Sequence, residues 1–154
     1  MHLLGVGESN DAHHMSSPHP KGAGALLAMQ RALASAATSP SDIDYINLHG
    51  TATRIGDSAE DIAVFSLFGE ATARGSTKGH TGHTLGAAGI VEAIVSALAI
   101  RHNLLPGSPH TETIDPEFRG RYQLTAERAR VDRVLSNSFG FGGSNCSLVL
   151  GLAH

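Results

Sequence analysis

VLSNSFGFGGSNCSLVL, residues 134–150, sets two short apolar runs on either side of a glycine-rich turn. Val134–Ser138 and Cys146–Leu150 carry β-branched and aliphatic residues, and FGFGGSN between them supplies the backbone freedom that a reversal needs. The stretch reads as two strands closed into a hairpin.

Outward from this hairpin, other elements follow. Leu3–Val6 reads as a short strand ending at Gly7. Leu26, Met29, Ala32, Leu33 and Ala36 recur at three- and four-residue steps and predict a helix from Gly24. Ser39-Pro40-Ser41-Asp42 breaks it, and Asp44–Leu48 reads as a buried strand. His49–Gly56 is then a loop at that strand's C-terminal end, where open α/β sheets place ligands. Asp57 or Ser58 is the expected cap of the next helix, with Glu60 or Asp61 completing a capping box and Gly69 closing it. Ile62, Val64, Phe65 and Phe68 form its expected apolar side. Ala87–Ile100 predicts a helix apolar nearly all round, hence one buried on most of its surface. Arg121–Ala126 reads as a short edge strand. The order implies an α/β fold, a mixed sheet layered with helices.

Composition narrows the functions. A chain of 154 residues is one domain's worth and buries about two-thirds of its unfolded surface. A net charge of -3 shows no basic face, so nucleic acid is not an expected partner. The single Cys146 excludes an internal disulfide framework and fits a reducing compartment. The N-terminus is too short and polar for a signal peptide, and no apolar run approaches the roughly 18–20 residues of a membrane helix. A cytoplasmic protein with no membrane partner is expected.

Three motifs carry chemistry. NLHGTATRIGD, residues 47–57, places His49 at a strand end; by itself it is equally a turn with an incidental histidine. In STKGHTGHTLGAAG, residues 76–89, His80 and His83 lack the cysteines or paired carboxylates of a zinc site. Lys78 precedes the glycines, which fails the order of a phosphate-binding loop. LGAAG is expected to let its helix approach another backbone closely. SNSFGFGGSN, residues 136–145, has glycines around Phe141 that free backbone amides to face a ligand.

Taken in order along one chain, these motifs resemble the C-terminal half of the β-ketoacyl-ACP synthases, condensing enzymes of the thiolase-like fold. The resemblance runs from about Gly5 to Leu150, includes the Asp11–Pro20 loop, and makes residues 1–154 a C-terminal synthase domain. GVGESNDAHHMSSPHP resembles the aryl-polyene side of the family. The implied reaction is decarboxylation of malonyl-ACP and condensation with an acyl thioester, in fatty-acid or polyene and polyketide biosynthesis. The resemblance makes His49 and His83 the imidazole donors to an enolate, and Lys78 the residue that orients them. It makes Phe141 an oxyanion-hole amide and a gate to the acyl pocket. No cofactor is required. Asn47, Glu92, Ser136 and Asn137 match positions that enclose a structural monovalent cation in some members; Glu92 is equally an ordinary hydrogen-bonded buried carboxylate.

Departures from the family pattern set further expectations. The nucleophilic cysteine belongs to an N-terminal half outside residues 1–154, and Cys146 is not its replacement. Where the family has a core strand, Thr72–Gly75 is about three residues short, roughly 10 Å of sheet, and Arg74 suits a buried strand poorly. Displacement of Lys78 and His83 would follow. Arg54 stands where proline is common, and His80 where the residue is apolar or small. The apolar helix would be exposed in a half standing alone, so an obligate protein partner is expected: an N-terminal half, a full synthase or a second copy. The acyl carrier protein is the expected substrate carrier. Alternatives are a non-catalytic subunit like a chain-length factor, or an inactive truncated synthase.

Overall fold

The computed structural model describes residues 1–152. Its elements are β1 (His2–Asn10), α1 (Ala23–Ser35), β2 (Tyr45–Asn47), α2 (Arg54–Phe68), β3 (Ala73–Gly75), the short α3 (Lys78–Thr81), α4 (Ala88–His102), β4 (Leu104–Leu105), β5 (Glu127–Arg128), β6 (Arg133–Phe139) and β7 (Ser144–Gly151). Five strands form one mixed sheet in the order β1-β7-β6-β2-β3, while β4 and β5 pair apart. The hairpin of β6 and β7 is antiparallel, β1 lies antiparallel on β7, and β2 runs parallel to both β6 and β3.

Strand alternation assigns each face a layer. Ile46, Leu48, Leu135 and Val149 pack with α1 and α2 residues such as Met29, Leu33, Val64 and Phe68. Tyr45, Val134 and Leu150 point the other way and pack with Ile100 of α4. The closest helix–strand approach is that of α1 on β1. A Cβ at Gly7 would strike the Ala28 carbonyl and the Ala32 amide, and one at Gly5 would meet the Ala36 amide at 2.6 Å. Glycines on the strand and alanines on the helix leave room for this contact. LGAAG does not share it: Gly86 faces open space, and a Cβ at Gly89 would meet only Ser138 Oγ, at 3.3 Å.

Several boundaries differ from those expected. α2 begins at Arg54, one turn before Asp57, with an extended Thr53 at its N-cap following the left-handed Ala52, at φ 60°. Glu60 and Asp61 are therefore buried side chains rather than cap groups, and Ile62 is solvent-facing. Gly69 closes α2 as expected, its amide donating to the Phe65 carbonyl at 2.9 Å. Arg121–Ala126 is no strand of its own; only Tyr122 bridges, in parallel, to Arg74.

Short as it is, β3 pairs residue for residue with Tyr45–Asn47. Arg74 is fully buried there, and its guanidinium folds back to donate to the carbonyls of Gly69 (2.5 Å), Thr72 (3.3 Å) and Arg119 (3.3 Å). A residue ill-suited to a buried strand is accommodated because β3 is the sheet's edge, where its head reaches loop carbonyls. Arg74→Met is expected to cost about 1–3 kcal/mol by leaving these acceptors unmet, measured as a lower urea midpoint at unchanged slope.

The first twelve residues of α4 carry a second exposed row. Ile90, Ile94 and Leu98 are 62%, 54% and 46% exposed, so in this chain the helix is not buried on most of its surface. Glu92 and Ser96 instead face the sheet and are buried. With its preceding turn, Leu85–His102 spans 18 residues at mean hydropathy 1.4, long and apolar enough to cross a membrane by length and composition. The expectation that no run comes near that length is corrected, because small residues such as Gly86, Ala87, Ala88 and Gly89 extend the apolar stretch. Exposed rows of this kind mark interfaces. The chain alone is expected to bind a hydrophobic dye, and Ile94→Lys to lower that fluorescence without changing the far-ultraviolet circular dichroism.

Candidate active site

β2 delivers the first histidine. Asn47 is fully buried at the strand's end, and the Leu48 amide continues the ladder to the Gly75 carbonyl at 2.8 Å. The chain then turns at Gly50, at φ 41°. Glu60, reaching up from α2, accepts the amides of His49 and Gly50 on separate oxygens, both at 2.9 Å. Asn137 donates to the same carboxylate at 3.1 Å. Ser76 Oγ holds the Gly50 carbonyl from the other side at 3.0 Å.

Lys78 opens α3 and is buried. Its ammonium donates to the His49 carbonyl at 2.5 Å and forms an ion pair with Glu92 of α4. Lys78 thus grips the backbone of His49. His83 lies beyond α3, past Gly82 at φ 67°, and is exposed. Its ring stands edge-on to that of His49, centroids 5.5 Å apart and planes at 87°. Phe139 of β6 packs on His49 from another side, at 5.9 Å.

Burial pushes the His49 pKa down from 6.5 to about 3, and Lys78 and His83 add to the effect. The imidazole is therefore neutral at physiological pH, able to donate one N–H. Burial pushes Glu60 up from 4.5 to about 7, against the hydrogen bonds from Gly50, His49 and Asn137. Burial also raises Glu92, with Lys78 opposing.

Phe141 sits on the hairpin turn and is 81% exposed. Its turn is anchored to the loop after β1: the Gly142 amide donates to the Met15 carbonyl at 2.8 Å, and the Asp11 amide to the Gly143 carbonyl at 2.9 Å. Gly142 and Gly143 occupy φ 73° and 75°. Cys146 is half-buried, and burial pushes its thiol up, the reverse of an activated nucleophile.

The four cation candidates divide between the faces of the sheet. Asn47 donates to the Glu92 carbonyl at 3.1 Å, and Asn47 Oδ1 and Glu92 Oε2 are both buried with no hydrogen-bond partner. Ser136, the β6 residue paired with Asn47, lies on the same face, whereas the Asn137 side chain points to Glu60 and Met29 on the other. Two orphaned buried oxygens suit a cation; Asn137's side chain is turned away from it. Among the described residues no group of three or more His, Cys, Asp or Glu is placed to hold a metal.

Residue reading missed Phe139 and the true place of Glu60. Phe139 lies in the quoted hairpin two residues before Phe141, and its outward neighbour drew the attention. Glu60 was legible only once α2 was known to begin at Arg54. A cleft of about 480 Å³ runs behind the turn and is lined by Glu60, Ser76 and Tyr122 but by neither His49 nor His83. The two imidazoles lie on an open face of the chain.

The chain belongs to the β-ketoacyl synthases: residues 2–112 match the family described as "Beta-ketoacyl synthase, C-terminal domain". It is 47% identical to the mitochondrial 3-oxoacyl-[acyl-carrier-protein] synthase of Arabidopsis thaliana, over 96% of this chain and 33% of that protein. It is equally 47% identical to 3-oxoacyl-[acyl-carrier-protein] synthase 2 of Rhizobium meliloti, over 96% of this chain and 36% of that protein. Among solved structures, a chain from the complex of ketosynthase ApeO with its chain length factor ApeC, from Xenorhabdus doucetiae, is 51% identical. It superposes with a TM-score of 0.92 over 98% of this chain and 39% of that one. A chain of the ishigamide ketosynthase/chain length factor is 33% identical, with a TM-score of 0.93 over 99% of this chain and 38% of that one. The fold is accordingly the C-terminal half of the thiolase-like architecture, and the chain spans about a third of the length of these curated relatives.

The two shifted groups give stability opposite pH dependences. His49, depressed from 6.5 to about 3, contributes stability that is present above 6.5 and lost as pH falls toward 3. Glu60, raised from 4.5 to about 7, contributes stability that is full below 4.5 and lost as pH rises through 7. Glu60→Gln is expected to remove this loss as pH rises from 4.5 to about 7, on the order of 3 kcal/mol, measured as a flatter plot of denaturation midpoint against pH.

Proposed function

We propose that this chain supplies the malonyl-decarboxylating side of a β-ketoacyl-ACP synthase active site. The observation that carries the reading is the pairing of His49 and His83, with the His49 imidazole half-buried and neutral. When malonyl-ACP loses carbon dioxide, the electron pair of the broken bond moves onto the thioester as an enolate. N–H groups of the His49 and His83 imidazoles, directed at its oxygen, stabilise that charge. The enolate carbon then attacks an acyl thioester, whose thiolate departs. Lys78 acts through the His49 carbonyl as a positioning residue, and Glu60 does so through the His49 and Gly50 amides.

The acyl group resides on a cysteine in an N-terminal half outside residues 1–154, which also covers Ile90, Ile94 and Leu98. The Phe141 amide donates to the oxyanion at that thioester, and its ring gates the acyl pocket. Asn47 and Glu92, with Ser136 beside them, hold a structural monovalent cation that offsets the buried carboxylate; Asn137 serves Glu60 instead. The protein works in the cytoplasm on acyl carrier protein-bound substrates, in fatty-acid or polyene and polyketide synthesis.

Carbon dioxide release from malonyl-ACP, by this chain combined with a cysteine-bearing N-terminal half, tests the reading. His83→Ala is expected to lower the rate about 10²–10³-fold, as loss of an oxyanion donor does elsewhere, with the fold intact by circular dichroism. No turnover in any combination would favour a non-catalytic subunit or an inactive synthase fragment.

A further inference from the structure

His80 lies outside the machinery just described. The sequence offered His83 as its companion, but α3 ends at Thr81 and His83 turns to His49. The structure supplies a different neighbour, thirty positions along. The rings of His80 and His110 stand with centroids 5.4 Å apart and planes at 89°. Both side chains are exposed, and among the described residues no ring nitrogen of either is in a hydrogen bond.

Backbone packing sets this juxtaposition. A Cβ at Gly79 would strike the Pro109 carbonyl, so the two segments touch one residue before each histidine. His110 then takes a left-handed backbone, φ 61°, a conformation that few non-glycine residues adopt. The loop is fixed on its inner side as well, where the Ser108 amide donates to the Gln123 carbonyl at 2.8 Å. Two imidazoles on separate segments are thereby held within reach of a single ion. The other close pair outside the catalytic centre, His13 and His19, differs: His19 Nδ1 already accepts the Lys21 amide at 3.2 Å.

We propose that His80 and His110 form a two-histidine site for a divalent ion of the zinc class. Neutral imidazole is a preferred ligand for such ions, and water completes the shell where the protein offers no third donor. The ion bridges α3 to the loop that follows β4, and so ties down the segment that carries Lys78.

Zinc alone, titrated calorimetrically into the chain in complex with its N-terminal half, tests the proposal. The expected result is one saturable site, weakened at least about tenfold by His80→Asn or His110→Asn and unchanged by His13→Asn, since loss of one of two protein ligands removes half of the chelate. Copper(II) bound at the same site should show two coupled nitrogens in its electron paramagnetic resonance spectrum. Zinc should also raise the thermal midpoint of the parent and not of either variant. Absence of saturable binding, or binding that survives both substitutions, overturns the proposal. So does zinc affinity lost only on His83→Ala, which places the ion on the catalytic pair. None of these readouts depends on condensing activity.

Discussion

The buried ammonium of Lys78, set between the Glu92 carboxylate and the His49 carbonyl, is the interaction on which the site depends. It joins three elements distant in sequence: the end of β2, the start of α3 and the first turns of α4. Bringing two charges out of water costs several kcal/mol per ion, which good geometry and further hydrogen bonds only offset. Such a pair is a poor source of stability and an effective fixer of position. Either charge left alone would be strongly destabilising, so the three elements hold their mutual placement or the site does not form. Burial is the main cause of the low His49 pKa, and the same ammonium adds to it, so the group that places the imidazole also helps keep it uncharged.

On the opposite face, Glu60 does the complementary work. It takes two successive amides that no strand or helix satisfies, and it stays in the interior at the expense of easy ionisation. The His-Gly turn is clasped by a carboxylate from one layer and an ammonium from the other. A loop at a strand end is held rigid in this way.

Much of this was legible in the sequence because it rests on short-range patterns. The β6–β7 hairpin, α1 and the strand at Tyr45–Asn47 follow from alternation, three- and four-residue spacing and turn chemistry. His49, Lys78 and His83 were found through motifs, and the fold brings them together. What stayed hidden depended on tertiary context. Thr53 caps α2 without a side-chain hydrogen bond, and Gly56 stands where a capping box has Glu or Gln, so the start at Arg54 was masked and with it the place of Glu60. Arg74 looks wrong for a strand until the loop carbonyls around its head are in place. The close packing expected at LGAAG occurs instead between β1 and α1, because Gly86 meets nothing in this chain.

The outermost pairing in the sheet has a consequence for the order of events in the cell. β1 is held by β7, His2 opposite Gly151, so β1 is made long before the strand that pairs with it. During synthesis the Gly5–Gly7 segment and the alanine face of α1 can meet, but β1 lacks its partner until β7 has emerged. Contacts of such sequence separation close late and slowly. The edge that β1 presents in the meantime is open to mispairing, a period in which a chaperone would decide whether the sheet closes correctly.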